Sequence, residues 1–431
     1  MKAARQGRLL LLVPTTSYRI GDFLDAAGRL EVDVAVGSDQ RAVLEAFSDG
    51  ATITLDFKAL DHGVGQILDY HAEYPLAAII GVDQETTLLA ARAAEALGLS
   101  HNTPSAVEAA GNKHRFRSRL ANSGLPAPWF TLLPLEDGDT PGGGPAALAP
   151  TMSYPVVLKP LALSASRGVI RADNPEQFMA AIQRIKTILA TEGERNNAAA
   201  DTAGQVLVED YIPGREVALE GLLHGGRLQV LALFDKPDPL EGPYFEETIY
   251  VTPSRLPASV QAGITATVGR AVESLGLREG PIHAELRIND GGAWLIEVAA
   301  RSIGGLCSRA LDFGDGGRLE DLIIRRAMGL PVAPADPRQP ASGVMMIPIP
   351  GPGVLRQVRG LDAARRVEGI QDAVISIPLG DTLVPVPDGN RYMGFIFAGC
   401  DTPQAVETAL RTAHGELEFV IEANDAKNTA K

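Results

Sequence analysis

Cysteine is nearly absent from this chain. Cys307 and Cys400 are the only two in 431 residues. Two isolated cysteines build neither a disulfide framework nor a zinc site, and both read as buried thiols. Aromatic residues are sparse, at 5%. No run of 18 or more apolar residues occurs, which excludes an ordinary membrane-spanning helix. Positive charge is in deficit: 39 Lys and Arg against 53 Asp and Glu give a net charge of −14. Nucleic-acid binders normally present a basic face, so that class is not expected. No Gly-x-Gly-x-x-Gly follows the first apolar strand, so neither a dinucleotide site nor a Rossmann-type oxidoreductase is indicated. Met1 to Arg8 is basic, but the apolar run after it, Leu9 to Val13, is short and lacks a cleavage site. It reads as a first strand and not as a signal peptide, and the expected compartment is the cytosol.

What is present is Gly and Pro, 45 and 30 residues, with 45% apolar and 21% charged residues overall. That suits an α/β protein with many tight turns, and the length calls for two to four domains. Apolar strands at 8–14, 32–36, 51–55 and 77–81 alternate with helical patterns at 21–30 and 82–97. This is the pattern of an open, doubly wound parallel sheet. A helix opens at Asn112-Lys113 and stops at Gly124. Segments 136–150 and 191–205 read as surface connectors. Segments 205–208, 216–223 and 228–233 read as antiparallel strands of one sheet. A helix is expected at 318–328, a Pro-rich linker at 331–340, and a closing helix and strand at 403–414 and 417–421.

Residues 283–305 carry the densest signal. Two alternating runs flank Asn289-Asp290-Gly291-Gly292, the pattern of a β-hairpin. One face carries His283, Glu285 and Arg287, and the returning strand adds Glu297. If the loop is the three residues Asp290 to Gly292, Glu285 faces Glu297 with Cβ atoms roughly 5 Å apart. A two- or four-residue turn would set them on opposite faces. Two such carboxylates call for a cation, and Mg²⁺ bridging to phosphate is the natural one.

Other segments point to phosphate. Tyr154 to Pro160 puts Lys159 at the end of a buried strand, where a phosphate would partner its charge. The small residues around Ser164, Ser166 and Gly168 let backbone N–H groups approach phosphate oxygens. The run Glu209-Asp210-Tyr211-Ile212 could present backbone groups to a base, with Glu216 placed for ribose hydroxyls. Lys236 lies in a long loop with Glu246 and Glu247, where long loops are often functional. His283 could contact substrate or move a proton.

In this order, the Lys113 helix, the Lys159 strand, the small-residue loop, the Glu209 to Glu216 run, His283-x-Glu285 and Glu297-x-x-x-Arg301-x-x-Gly304-Gly305 resemble the ATP-grasp superfamily over about residues 106–330. Ser342 to Leu355 and Arg391 to Ala398 resemble the C-terminal domain of its L-amino-acid-ligase branch. The resemblance implies an ATP-grasp fold, α/β and α+β multidomain, with a doubly wound N-terminal domain and a C-terminal α+β domain. The implied segments are 1–105, a lid at 106–205, a large subdomain at 206–332 and a C-terminal domain at 333–431. It implies ATP phosphates on Lys113 and Lys159, with Ser166 and Gly168 in the cradle. Adenine falls on Glu209 to Ile212 and ribose on Glu216. Mg²⁺, or alternatively Mn²⁺, falls on Glu285 and Glu297. Arg301, with Gly304 and Gly305, holds the acyl group, and Lys236 neutralises charge. Ala299 stands where many superfamily members have a metal-binding Asn. The implied activity is ATP-dependent joining of a small-molecule carboxylate to an amine, in a monomer or homodimer. The rivals are a biotin-carboxylase-like enzyme and a non-catalytic nucleotide-binding module.

Overall fold

The computed structural model describes residues 7–41, 48–136, 144–161, 163–196, 204–332, 335, 337–338 and 340–423. The connectors expected at 136–150 and 191–205 lie partly outside these residues, as do the linker at 331–340 and the basic start. Within them, Pro145–Leu148 is a helical turn, and the helix Pro175–Asn196 takes up the first part of the second connector.

The first sheet is parallel, in the order Thr52–Thr54, Val34–Ser38, Arg8–Leu12, Leu76–Gly81. Its central strand explains the unbroken apolar run. Leu9 and Leu11 pack with Phe23, Ala26 and Ala27 of the helix Ile20–Arg29 on one face. Leu10 and Leu12 pack with Ile67, Tyr70 and Leu89 of the helices Leu60–Glu73 and Gln84–Ala96 on the other. A strand covered on both faces cannot alternate polar and apolar residues. The expected doubly wound arrangement is observed.

A second sheet of four antiparallel strands runs Phe130–Pro134, Gln205–Asp210, Val156–Pro160, Ile170–Ala172. Phe178, Ile182 and Ile185 of the helix Pro175–Asn196 close its core. Here one expectation is corrected. The strand at 205–208 does not join the large antiparallel sheet; it lies between Phe130–Pro134 and Val156–Pro160. Its buried Val206 and Val208 fit this core, and a short apolar run carries no information about which sheet it will enter.

The large sheet has eight strands. Their order is Gly292–Ala299, Gly280–Asn289, Arg215–His224, Arg227–Asp235, Ile249–Thr252, Ala341–Ile347, Gly394–Cys400, Ile370–Ile375. Every neighbouring pair is antiparallel. The carboxyl-terminal segment therefore continues this sheet, and it also builds a small antiparallel sheet of its own from Thr382–Leu383, Gly353–Arg359 and Glu418–Glu422. The helix Ala258–Leu275 covers one face together with Pro104–Gly111 and Lys113–Asn122. Residues 104–122, expected within the lid segment, thus pack on the large sheet, because Ala106, Ala109, Phe116 and Leu120 form an apolar stripe that Ile264, Val268 and Val272 cover. Cys307 is buried as expected, but Cys400 is only half-buried.

Candidate active site

The hairpin turns out differently from the three-residue loop that its glycines suggest. Asn289 pairs with Gly292, so the turn is the two residues Asp290 and Gly291. The Asn289 side chain fixes it: its Oδ1 accepts the Gly291 N–H at 2.8 Å and the Trp294 indole N–H at 3.0 Å. A two-residue turn alone would turn Glu297 away from Glu285. A register shift between Glu285 and Leu286 prevents this. Leu286 pairs with Leu295, whereas Glu285 pairs with Glu297, leaving Ile296 as the extra residue of a β-bulge. Ile296 and Glu297 both line the cleft between the two antiparallel sheets, while Leu295 and Val298 enter the core beneath.

In that cleft three carboxylates converge. Oxygens of Glu216, Glu247 and Glu285 lie within 4.8 Å of one another. Glu297 lines the cleft but is not in this group. Besides Glu297, which faces it across the hairpin, Glu285 thus has carboxylate neighbours from the strand at 215–224 and from residues before 249–252. Burial and the Glu285 charge push the Glu247 carboxyl up to about 7, although Lys236 pulls it the other way. Burial alone would raise Glu285 too, but Lys236 and His283 hold it well below the usual carboxylate range. His283 is buried between Glu220 Oε1 at 2.6 Å and Glu285 Oε1 at 3.1 Å. Burial works against its charge, yet these carboxylates raise it to about 9. Hard oxygen donors at this spacing fit Mg²⁺, which accepts one or two carboxylates and completes its shell with phosphate and water.

Lysines line the same cleft. Lys159 Nζ is 2.5 Å from Glu209 Oε1. Arg117 grips the same carboxylate bidentately, with Nε to Oε2 at 2.6 Å and Nη2 to Oε1 at 3.0 Å, and donates from Nη1 to the Leu295 carbonyl at 2.5 Å. Lys113 Nζ donates to the Leu163 carbonyl at 2.5 Å, and burial lowers its pKa. In the small-residue loop Ala165 and Ser166 take φ of +54° and +55°, a left-handed conformation that non-glycine residues seldom hold without cause. The Gly168 N–H donates to the Pro387 carbonyl at 2.9 Å, and Arg167 Nε to the Asp388 carbonyl at 2.8 Å, which ties this loop to the carboxyl-terminal segment.

The Glu209 pairs give a pH prediction. Burial raises a carboxyl, but Arg117 and Lys159 outweigh it and hold Glu209 at about 2 against an ordinary 4.5. Its contribution to folding is fully present above pH 4.5 and is lost as the pH falls through 2. The contribution is on the order of 3 kcal/mol. Urea unfolding at pH 6 and at pH 3 will show the loss in the wild type, and Glu209→Gln, less stable at both, will show a shallower pH dependence.

The cavity between the two sheets measures about 80 Å³. Lys113, Lys159, Ser166, Glu209, Asp210, Tyr211, Ile212, Glu216, Glu285 and Glu297 line it, as the sequence led one to expect. The Glu209 side chain is committed to ion pairs, so only backbone of this run is offered to a base. The Tyr211 N–H is taken by the Pro155 carbonyl, while the buried Ile212 N–H meets no acceptor among the described residues. Both Glu216 oxygens are occupied, Oε1 by Lys236 at 2.8 Å and Oε2 by Arg287 Nε at 2.9 Å. This ties Glu216 into the carboxylate cluster.

Six expected residues do not line the cleft: Gly168, Lys236, His283, Arg301, Gly304 and Gly305. Lys236 and His283 sit behind the carboxylates, where they orient them. Arg301 is half-buried and donates from Nη1 to the Ser302 carbonyl at 2.8 Å, with no carboxylate partner among the described residues. Gly305 needs its glycine: φ is +64° and an added Cβ would lie 3.0 Å from the Phe395 ring. Sequence reasoning missed Arg117, Glu220 and Arg287 as site-building residues and left Glu247 undecided. Arg287 joins the two sheets, donating to the Ile212 carbonyl at 2.9 Å and lying over the rings of Tyr211 and Phe245. Its place two residues after Glu285 on the same strand face was the available signal.

Two antiparallel sheets closing on a cleft that lysines and carboxylates line together define an ATP-grasp fold. Comparison with known proteins agrees. Residues 152–310 match the ATP-grasp domain, and residues 345–422 match the L-amino acid ligase C-terminal domain 2. The chain thus carries a segment similar to the ATP-grasp domain, followed by one similar to the L-amino acid ligase C-terminal domain 2. It is 29% identical to carnosine synthase 1 of Gallus gallus over 271 residues, 61% of this chain and 29% of that protein. It is 26% identical to the alanine–anticapsin ligase of Bacillus subtilis over 228 residues, 50% of this chain and 46% of the relative. Less than half the length of either relative is thus matched. An L-amino acid ligase structure from Bacillus licheniformis shares the fold with a TM-score of 0.78 at 24% identity, covering 97% of this chain and all of that one. Among the described residues no helix is long and apolar enough to cross a membrane.

Proposed function

We propose that this protein is an ATP-dependent carboxylate–amine ligase acting on amino acids, with Mg²⁺ in the carboxylate cluster. The observation that carries the reading is the cleft itself, which Lys113 and Lys159 line together with Glu216, Glu247 and Glu285. Amide formation in water is uphill, so it needs coupling to phosphoryl transfer. In that coupling a substrate carboxylate oxygen attacks the γ-phosphorus of ATP and ADP leaves. The amine nitrogen then attacks the acyl carbon, phosphate departs with one original carboxylate oxygen, and the amine loses a proton. Bound Mg²⁺ would offset the charge that builds on the transferring phosphoryl group. The chain's own part is positioning and charge compensation. Lys113 and Lys159 hold phosphate oxygens, the Ile212 N–H meets the base, and Arg301 holds the reacting carboxylate.

Relatives named as ligases of alanine with anticapsin and of D-alanine with D-alanine support an amino-acid substrate class. The biotin-carboxylase rival shares the fold, since a biotin carboxylase domain of Hydrogenobacter thermophilus aligns with a TM-score of 0.67. The carboxyl-terminal match to an L-amino acid ligase domain favours the ligase reading over it. The test is ADP release measured over a panel of amino acids offered singly and in pairs. The reading expects release that depends on a particular pair and a condensed product of matching mass. Release stimulated by bicarbonate alone, or by no carboxylate at all, would sink it.

A further inference from the structure

The carboxylate cluster already contains a cation of the protein's own. Lys236 Nζ is 2.8 Å from Glu216 Oε1 and 3.6 Å from Glu285 Oε1, and it donates to Glu247 Oε1 as well. These are the same three carboxylates whose oxygens converge within 4.8 Å. The ammonium is 7% exposed as a residue and lies 5.0 Å from the centre of the Tyr250 ring, which closes its far side. Arg287 adds a second fixed cation on Glu216, and His283 donates to Glu285. Three negative charges are thus met by two permanent positive ones within hydrogen-bond reach.

That balance matters for a divalent ion arriving alone. It would meet a nearly neutral cluster and would have to draw oxygens away from a buried ammonium. Stranding a buried charge is among the costliest changes a protein can undergo. A nucleotide polyphosphate changes the terms, because it brings negative charge and alternative acceptors for Lys236 at once.

We infer that Lys236 is a resident counter-ion that keeps a free divalent cation out of the Glu216–Glu247–Glu285 cluster until nucleotide phosphates are present. This positioning role rests on the proposed nucleotide site. It makes metal entry conditional on nucleotide by charge balance and not by shape.

The experiment is Mn²⁺ binding followed by the EPR signal of the free ion. Wild type, Lys236→Met and Lys236→Arg are titrated without nucleotide and again with ADP. Wild type should bind Mn²⁺ at least about tenfold more weakly without ADP than with it. Lys236→Met should gain one nucleotide-independent site of at least about tenfold higher affinity, while Lys236→Arg, which keeps the charge, should stay like wild type. A lysine that merely supports the fold would not raise metal affinity when removed. Tight, stoichiometric Mn²⁺ binding by nucleotide-free wild type overturns the inference, and so does a Lys236→Met that binds no more tightly than wild type. If Lys236→Met does not fold, the wild-type comparison decides alone. Failure of wild type to bind ADP at all would instead count against the proposed function.

Discussion

Glu285→Gln should lower ligase turnover by about 10³-fold, the loss typical of removing one preorganised charge-stabilising group from an active site. The substitution keeps the volume and one acceptor oxygen but removes the charge. Glu285 is where the site's lines meet: it faces Glu297 across the bulge, accepts from His283 and belongs to the convergent carboxylates. The loss should fall on turnover, because Lys113 and Lys159, the proposed phosphate contacts, are untouched. ADP release, a nucleotide titration and a thermal melt on the same preparation separate the effects. The expected pattern is a collapse in turnover, less than about a tenfold change in nucleotide affinity, and a retained cooperative melt. Turnover within about tenfold of wild type would show that Glu285 is not central to the chemistry.

Arg117→Met should destabilise the fold by about 3–5 kcal/mol, the cost of removing one partner from a buried ion pair. Arg117 and Glu209 are 1% and 2% exposed, and nothing else replaces the two bidentate bonds or the donation to Leu295. Lys159 alone would remain on the Glu209 carboxylate. It would then be less free to serve a phosphate, so nucleotide affinity should fall together with stability. Chemical denaturation gives the first effect and a nucleotide titration the second. A stability loss under about 1 kcal/mol would mean that the pair is not the joint between the two sheets that the geometry describes.

Much of this was legible in the residues. The unbroken run at Leu9 to Leu12 requires a strand buried on both faces, and that is how it packs. The alternation through His283, Glu285 and Arg287 requires a polar strand face, and Glu285 and Arg287 on it line the cleft. Other features carried no local mark. Asn289-Asp290-Gly291-Gly292 suits loops of two or three residues, and the choice fell to the Asn289 contacts with Gly291 and Trp294. The bulge at Ile296 then restored a facing pair that the shorter turn would have destroyed. Glu246 and Glu247 are neighbours in one loop, and only folding decides which of them meets Lys236. Arg117 pairs with a residue 92 positions away, a distance over which no periodicity speaks. The strand at 205–210 reads the same whichever sheet takes it.

The most direct test of the account follows one oxygen atom. Once the panel has supplied a productive pair, the substrate carboxylate is labelled with ¹⁸O and the inorganic phosphate released in turnover is analysed by mass spectrometry. Passage through an acyl phosphate predicts one ¹⁸O in each phosphate formed, with the other retained in the amide. Phosphate that carries no label, with all turnover still dependent on the carboxylate, would contradict the proposed chemistry.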